Sequence, residues 1–566
     1  MGQGHHRQGM TAPARHRAKA AGILHPGFSI LTNRFGGAVA SVRNLHWSVS
    51  AMTESPAPSP AIDLVELTVE TAQAAMADGT TTSEALTQAF LDRIAEYNPK
   101  YNAILFVNPD ALETARAIDR RRAAGEVLGP LAGIPVVVKD PMDMVGIPTT
   151  AGWAQLYSKT GGVDLMPATD SPVVARMKAA DTVILGKTNV PILSHTGADA
   201  NDSFAGPTLN VAAPALLPGG SSTGTAACVA ASLAVLGLAE ETGGSIQNPA
   251  SAQGLVGIKP SHALVPNAGV VPLSAHRDVV GPIARCVRDA ALCLDVLAGF
   301  TAEDPKTIAG VGHKPKGGYT SKLSKDALQG KRIGLYGAGW RNQPLSDEAA
   351  SLYAKTQAEL TAQGAILIAD PFAGSGFADL RQQTVPGQDF DARGMESVPY
   401  DVEQYLKRLG PDAALKTFAE FAAATAKDDA FAPGGALHYM TYARQFAACL
   451  ANPSVPPDLS DFVEAREAYM EIFNTVFAAE KLDGLCFPQM RTDLAGLHSG
   501  GRIDETTVSE INIAGLPGVT VPAGFYASGA PFNLIFVGPK WSEAELLAQA
   551  YAYEQATHHR RAPKLL

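Results

Sequence analysis

The sequence predicts an α/β fold, and three observations carry that prediction. Gly133-Ile134-Pro135-Val136-Val137-Val138-Lys139-Asp140 is an apolar, β-branched run that reads as a buried strand. Ser171-Pro172 caps a helix that leads into a strand over residues 182–185, and residues 332–336, 347–363 and 366–368 repeat the pattern as strand, helix and strand. A chain of 566 residues with 46% hydrophobic content can bury a large core, although length alone suggests several domains.

In chain order, a Pro/Ser linker at 55–60 precedes Leu67-Thr68-Val69-Glu70, which opens a short amphipathic helix ending near Gly79. Thr81 with Glu84 forms a capping box, and Leu86, Phe90 and Ile94 line one face of the next helix. A strand over 103–107 follows, then a helix from Asn108-Pro109 to about Ala124. Residues 149–153 are rich in turn formers, and 192–199 form a loop that holds Ser194 and His195. Residues 226–239 read as a buried helix, too short for the roughly 20 apolar residues of a membrane span. From 372 to 480 the chain is largely helical, rich in Ala and Phe, and broken at Gly434-Gly435.

Chemistry concentrates between Pro218 and Pro260. Two glycine-flanked serine sites, Gly219-Gly220-Ser221-Ser222 and Gly243-Gly244-Ser245, bracket one segment of small residues. Glycine admits positive φ and close approach of backbone to ligand, so a serine behind a Gly-Gly pair can be presented beside free N–H groups. A serine hydroxyl needs a base to become a nucleophile. Lys139, at the end of an apolar strand, can serve, because burial disfavours the ammonium form.

These pieces resemble the amidase signature family of serine hydrolases. The resemblance rests on GIPVVVKD (133–140), SPVVARMKAADTVILGKTN (171–189), GGSSTGTAA (219–227), TGGSIQNPASAQGLVGIKPS (242–261), GLPGVTVPAGF (515–525) and EAELLAQAYAYEQAT (543–557). It implies one large α/β domain over residues 61–566, with a large mixed central β-sheet covered by helices on both faces. Residues 310–480 would be a variable insertion that shapes the substrate pocket. Carried over residue by residue, it implies Ser245 as nucleophile, Ser221 as bridging serine after a cis Gly220–Ser221 bond, and Lys139 as base. The backbone N–H groups of Thr242, Gly243, Gly244 and Ser245 would form the oxyanion hole. Ser222 would brace the cluster, with Ser194 and His195 facing the pocket; a hydrogen-bonded loop histidine is favoured over a catalytic one.

Departures fall around these positions. Where relatives commonly carry Asp-Thr-Gly-Gly-Ser-Ile-Arg, this chain has Glu241-Thr242-Gly243-Gly244-Ser245-Ile246-Gln247, so another group must satisfy Glu241 or leave it solvated. Thr223 and Thr225 also replace the usual Gly and Ser. Gly220-Ser221-Ser222-Thr223-Gly224 also fits the Gly-x-Ser-x-Gly nucleophile elbow, but that turn needs a preceding strand where Pro214 and Pro218 stand. A phosphate-binding loop fails because no lysine follows Gly224.

Composition narrows the partners. A net charge of −10 gives no support for nucleic acid or an anionic membrane. Five cysteines without a Cys-x-x-Cys pair favour free thiols in a reducing, cytoplasmic setting over disulfides or zinc. The first 53 residues hold no Asp or Glu but six Arg or Lys; they read as a transit-like peptide or as an overrun upstream of Met52. The expectation is an extension over 1–60, disordered or a start-site overrun.

The expected activity is hydrolysis of a neutral amide without metal or organic cofactor, by a chain acting alone or as a homodimer. The few charges around Val136–Val138, Met142, Met144 and Trp153 favour aryl or aliphatic amides. Anilides, esters and carbamates (urethanes) are further expected substrates. The rival reading is a component of a glutamine amidotransferase, acting with partner proteins and tRNA.

Overall fold

Two helices precede the first strand of the described residues, 62–386 and 390–566 of a computed structural model. The expected 1–60 extension lies outside them. Helices α1 (Val69–Ala77) and α2 (Ser83–Tyr101) come first, with Leu86, Phe90 and Ile94 buried as their spacing predicts. The cap of α2 is Thr82 rather than Thr81: the Thr82 side chain accepts from Ala85 N, while Thr81 N is already bonded to Ala75 O. Strand β1 (Ile104–Val107) and helix α3 (Ala111–Ala123) follow, then β2 (Pro135–Lys139), α4 (Pro172–Ala179) and β3 (Val183–Thr188).

Residues 226–239 are not one helix. Helix α5 (Thr223–Ala230) stops, Ser232 takes φ +54°, and the chain continues as strand β4 (Leu236–Glu241). A segment buried on all sides carries no helical or strand period, so apolarity alone does not separate the two. What decides is pairing: β4 lies parallel to β2 and antiparallel to β6 (Val279–Ala284). Helix α6 (Gln247–Ala252) and strand β5 (Val256–Lys259) stand between β4 and β6 in the chain, and α7 (Val287–Leu297) follows.

Beyond residue 310 the unit β7 (Arg332–Leu335), α8 (Asp347–Ala362), β8 (Ile366–Ile368) forms as the sequence predicts. Four helices then occupy the middle region: α9 (Val398–Arg408), α10 (Phe418–Thr425), α11 (Phe446–Ala451) and α12 (Ser460–Glu480). Strand β9 (Gly484–Pro488), helix α13 (Val508–Ala514), strands β10 (Gly518–Phe525) and β11 (Pro531–Val537), and helix α14 (Glu543–Thr557) end the chain.

The eleven strands make one mixed sheet in the order β1-β3-β2-β4-β6-β5-β10-β11-β9-β7-β8. Strands β10 and β11 are inserted in its middle, with Gly518 opposite Lys259 and Leu534 opposite Pro488. The main core packs helices on this sheet. A second apolar cluster joins Val385, Met395, Leu406, Phe418 and Phe446 of the middle region to Trp153, Leu193 and Leu273 beside the site. A third is aromatic: Trp340 stacks on Phe377 at 4.5 Å and meets Phe372 and Phe487 edge-on. All five cysteines are free, and four of them are buried. Among the described residues no helix is long and apolar enough to cross a membrane.

Candidate active site

Parallel strands β2 and β4 end side by side, and the carboxyl ends of such strands are where open α/β sheets collect their functional groups. Lys139 closes β2 with its side chain fully buried. Its Nζ lies 2.7 Å from Ser221 Oγ, 2.6 Å from Glu240 Oε1 and 3.3 Å from the Glu240 carbonyl oxygen. Burial pulls the Lys139 pKa below its ordinary value, and the Glu240 carboxylate pulls the other way. Glu240 carries no local signal in the sequence, where it and Glu241 end an apolar run.

Asp140, the neighbour that could also have held the lysine charged, points elsewhere. Its Oδ2 accepts from Thr150 N and Thr150 Oγ1, and its Oδ1 lies 3.5 Å from Lys187 Nζ.

The loop to Ser221 is built on a close approach. Gly220 N donates to Gly197 O at 2.8 Å, and a Cβ on Gly220 would stand 2.8 Å from Thr196 O, so no larger residue fits. The Gly220–Ser221 peptide is cis. Ser222 N donates to Ser245 O, and Ser222 Oγ donates to Glu240 O, tying both serine loops to β4. Residues 217–222 contain no strand, so the nucleophile-elbow geometry for Ser222 is absent. The Thr225 hydroxyl shares a 2.7 Å hydrogen bond with Thr188 and donates to Leu238 O, joining α5 to β3 and β4.

The second serine loop is braced from behind. Glu241 accepts from Ile246 N, Gln247 N, Gln247 Nε2 and Asn512 Nδ2, so it is satisfied without an arginine at position 247. Thr242 Oγ1 donates to Asp278, and Arg277 Nε donates to Thr242 O. Burial, with Glu240 nearby, pushes the Asp278 carboxyl up to about 7. Gly244 turns at φ +94°, where a side chain would be strained and would strike Asn248. Among the described residues, the N–H groups of Gly243, Gly244 and Ser245 and the Ser245 hydroxyl have no hydrogen-bond partner in the protein. Unpartnered donors beside a serine hydroxyl are groups that acyl-transfer chemistry can use.

Ser245, Gly243 and Thr242 form part of the wall of a cleft of about 660 Å³. Ser194, His195, Gly197 and Trp153 also line it. His195 is paired to Asp202 at 2.8 Å, whereas the Ser194 hydroxyl is buried with no partner among the described residues. The expectation of a weakly charged site needs correction. Val136–Val138, Met142 and Met144 do not line the cleft; Arg341, Arg491, Arg502, Asp504 and Glu505 do. These come from segments distant in sequence, and no local pattern marks them. Phe390, Tyr439, Tyr442 and Met395 from the middle region add an apolar side.

Comparison with known proteins gives a consistent set of likenesses. The family model described as amidase matches residues 85–373. The A subunit of glutamyl-tRNA(Gln) amidotransferase from Moorella thermoacetica is 33% identical over 85% of this chain and 95% of its own length. A probable amidase of Arabidopsis thaliana is 30% identical over 90% of this chain and 93% of its own. The solved peptide amidase from Stenotrophomonas maltophilia superposes with a TM-score of 0.71 at 32% identity, over 88% of this chain and 99% of that one.

Proposed function

Since the chain belongs to the amidase signature family, we propose that it hydrolyses a neutral amide through an acyl-enzyme on Ser245. The observation that carries this reading is the 2.7 Å contact between Lys139 Nζ and Ser221 Oγ, on a loop that Ser222 N ties to Ser245.

In this reading Ser245 Oγ attacks the carbonyl carbon while its proton passes to Ser221 Oγ, and the Ser221 proton passes to the Lys139 lone pair. The oxyanion that forms is received by the N–H groups of the 242–245 loop. On collapse the C–N bond breaks, and the proton returns from Lys139 through Ser221 to the leaving nitrogen. Water then repeats the steps to release the acid. Side chains move every proton in this scheme and backbone donors hold the charge, so no metal or organic cofactor takes part. Activity lost to EDTA and restored by zinc would refute that.

An activated serine with a preformed oxyanion hole does not depend on nitrogen as leaving atom, so anilides, esters and carbamates are also assigned as substrates. The apolar side of the cleft, with Trp153, Phe390 and Tyr439, suits aryl or aliphatic groups. The catalytic unit is taken as residues 61–566, with 310–480 shaping selectivity, acting in the cytoplasm alone or as a homodimer. The test is turnover of a panel of amides, anilides, esters and carbamates by wild type and Ser245→Ala; equal turnover by both would sink the assignment.

A second reading is favoured by the likeness to the Moorella protein: a transamidating component that releases ammonia from glutamine with partner proteins and tRNA. Gln247, in place of the arginine, and the helical middle region support the stand-alone hydrolase instead. Glutaminase activity that emerges only with partner proteins would reverse the choice.

A further inference from the structure

Lys139 Nζ has three partners, and their identity bears on how the base works. An ammonium has three N–H donors, which match Ser221 Oγ, Glu240 O and Glu240 Oε1. A neutral amine has two N–H donors and one lone pair. With both donors held by Glu240, the lone pair is left facing Ser221, which is the orientation needed to take its proton. The same three partners therefore serve both protonation states without rearrangement.

We propose that Glu240 is a positioning residue that makes a buried Lys139–Glu240 pair, rather than an isolated lysine, the base of the reaction. This rests on the proton path assigned above. When Ser221 gives its proton to Lys139, the new ammonium forms against a carboxylate 2.6 Å away, with both side chains buried. In this scheme no proton moves to Glu240, and its carboxylate balances the charge that arrives. Without it, the ammonium would be an unpaired buried charge, which costs far more than a paired one.

Other charged groups face the same point. Glu241 and Asp278 also favour the charged lysine, but Glu241 is taken up by four donors, and Asp278 by Thr242 Oγ1 and the N–H groups of Leu273 and Ser274. Asp140 is turned to Lys187. Glu240 is thus the one carboxylate in direct contact with Lys139 among the described residues.

The experiment follows the second-order rate of Ser245 modification by a fluorophosphonate as a function of pH, in wild type and Glu240→Gln. An adjacent opposite charge raises a lysine pKa by about 1–3 units, so the acid limb of the variant is expected about 1–3 pH units lower. Its alkaline plateau is expected at least about tenfold lower, because the conjugate acid has lost its counter-charge. Glu240→Asp, which keeps the charge, should hold the limb near the wild-type position. A purely structural role would lower the rate without moving the limb, and an unmoved limb in folded Glu240→Gln overturns the proposal. Should that variant fail to fold, 13C NMR of the wild-type glutamate carboxyl carbons decides. Glu240 must remain ionised across the range in which Lys139 titrates, and its protonation there overturns the proposal. Absence of any fluorophosphonate adduct on wild-type Ser245 would instead remove the proposed function beneath it.

Discussion

Asp140 turns its carboxylate off Lys139 and onto Lys187, with Oδ1 3.5 Å from Nζ, although it directly follows Lys139 in the chain. One acid that could have held Lys139 charged is therefore engaged elsewhere, and burial prevails in lowering the Lys139 pKa. A lysine must lose its proton to act as base, so kcat/KM should rise with pH along a limb set by Lys139 and level off in the alkaline range. A profile that falls from pH 6 to pH 9 would contradict this.

Replacement of Lys139 separates a base from a fixed charge. Lys139→Ala should lose on the order of 10⁴-fold or more in kcat. Lys139→Arg should not rescue it, because a guanidinium keeps its proton at working pH. Ser221→Ala should lose less than Lys139→Ala, since water can enter the relay position. An active arginine variant would send the search for a base to His195, whose Nε2 is now occupied by Asp202.

Ser245→Ala should abolish fluorophosphonate labelling, read by intact-protein mass spectrometry, and lower kcat on the order of 10⁴- to 10⁶-fold. Removing the Ser194 hydroxyl, which has no partner among the described residues, should spare labelling and alter KM across the substrate panel.

Gln247→Ala leaves Glu241 short of one donor in a buried setting. It should destabilise the fold by about 1–3 kcal/mol in urea unfolding. Because Glu241 also holds Ile246 N and Gln247 N, just beyond Ser245, kcat should fall with it.

Trp340→Ala removes the ring at the centre of the third cluster, along with the 3.0 Å hydrogen bond from its Nε1 to Thr506 O. A loss of about 3–5 kcal/mol is expected from the denaturant midpoint. Its neighbour Arg341 lines the cleft and is held bidentately by Glu510, so KM should rise as well.

How much of the site could be read from the chain depended on whether its determinants were local. That Lys139 and the two serine loops meet was legible because glycine pairs before serine, and a lysine after three valines, stand out within a few residues. That the loop at 192–199 faces the cleft was implied by the resemblance alone, and Ile192, Ser194, His195, Thr196, Gly197 and Ala198 do line it. Glu240 was not, since the acid pair Glu240-Glu241 at the end of an apolar run does not say which side chain either one meets. Asp278, Asn512 and Arg341 reach the site only through tertiary contacts. The error over 226–239 has the same root: full burial erases the periodicity that separates helix from strand, and pairing with β2 and β6 settles it.

Strand β10 lies between β5 and β11, with Val519 opposite Ile258. During synthesis the ribosome therefore releases both serine loops long before the strand that completes the sheet beside them. Until residues 518–537 emerge, the free edges of β5 and β9 present unpaired N–H and C=O groups over apolar side chains, which is the form most open to aggregation and to chaperone capture. Sheet closure must wait for contacts far apart in sequence, and such contacts form slowly. Yield in a foreign host should accordingly respond more to lower temperature and added chaperones than to changes on the finished surface.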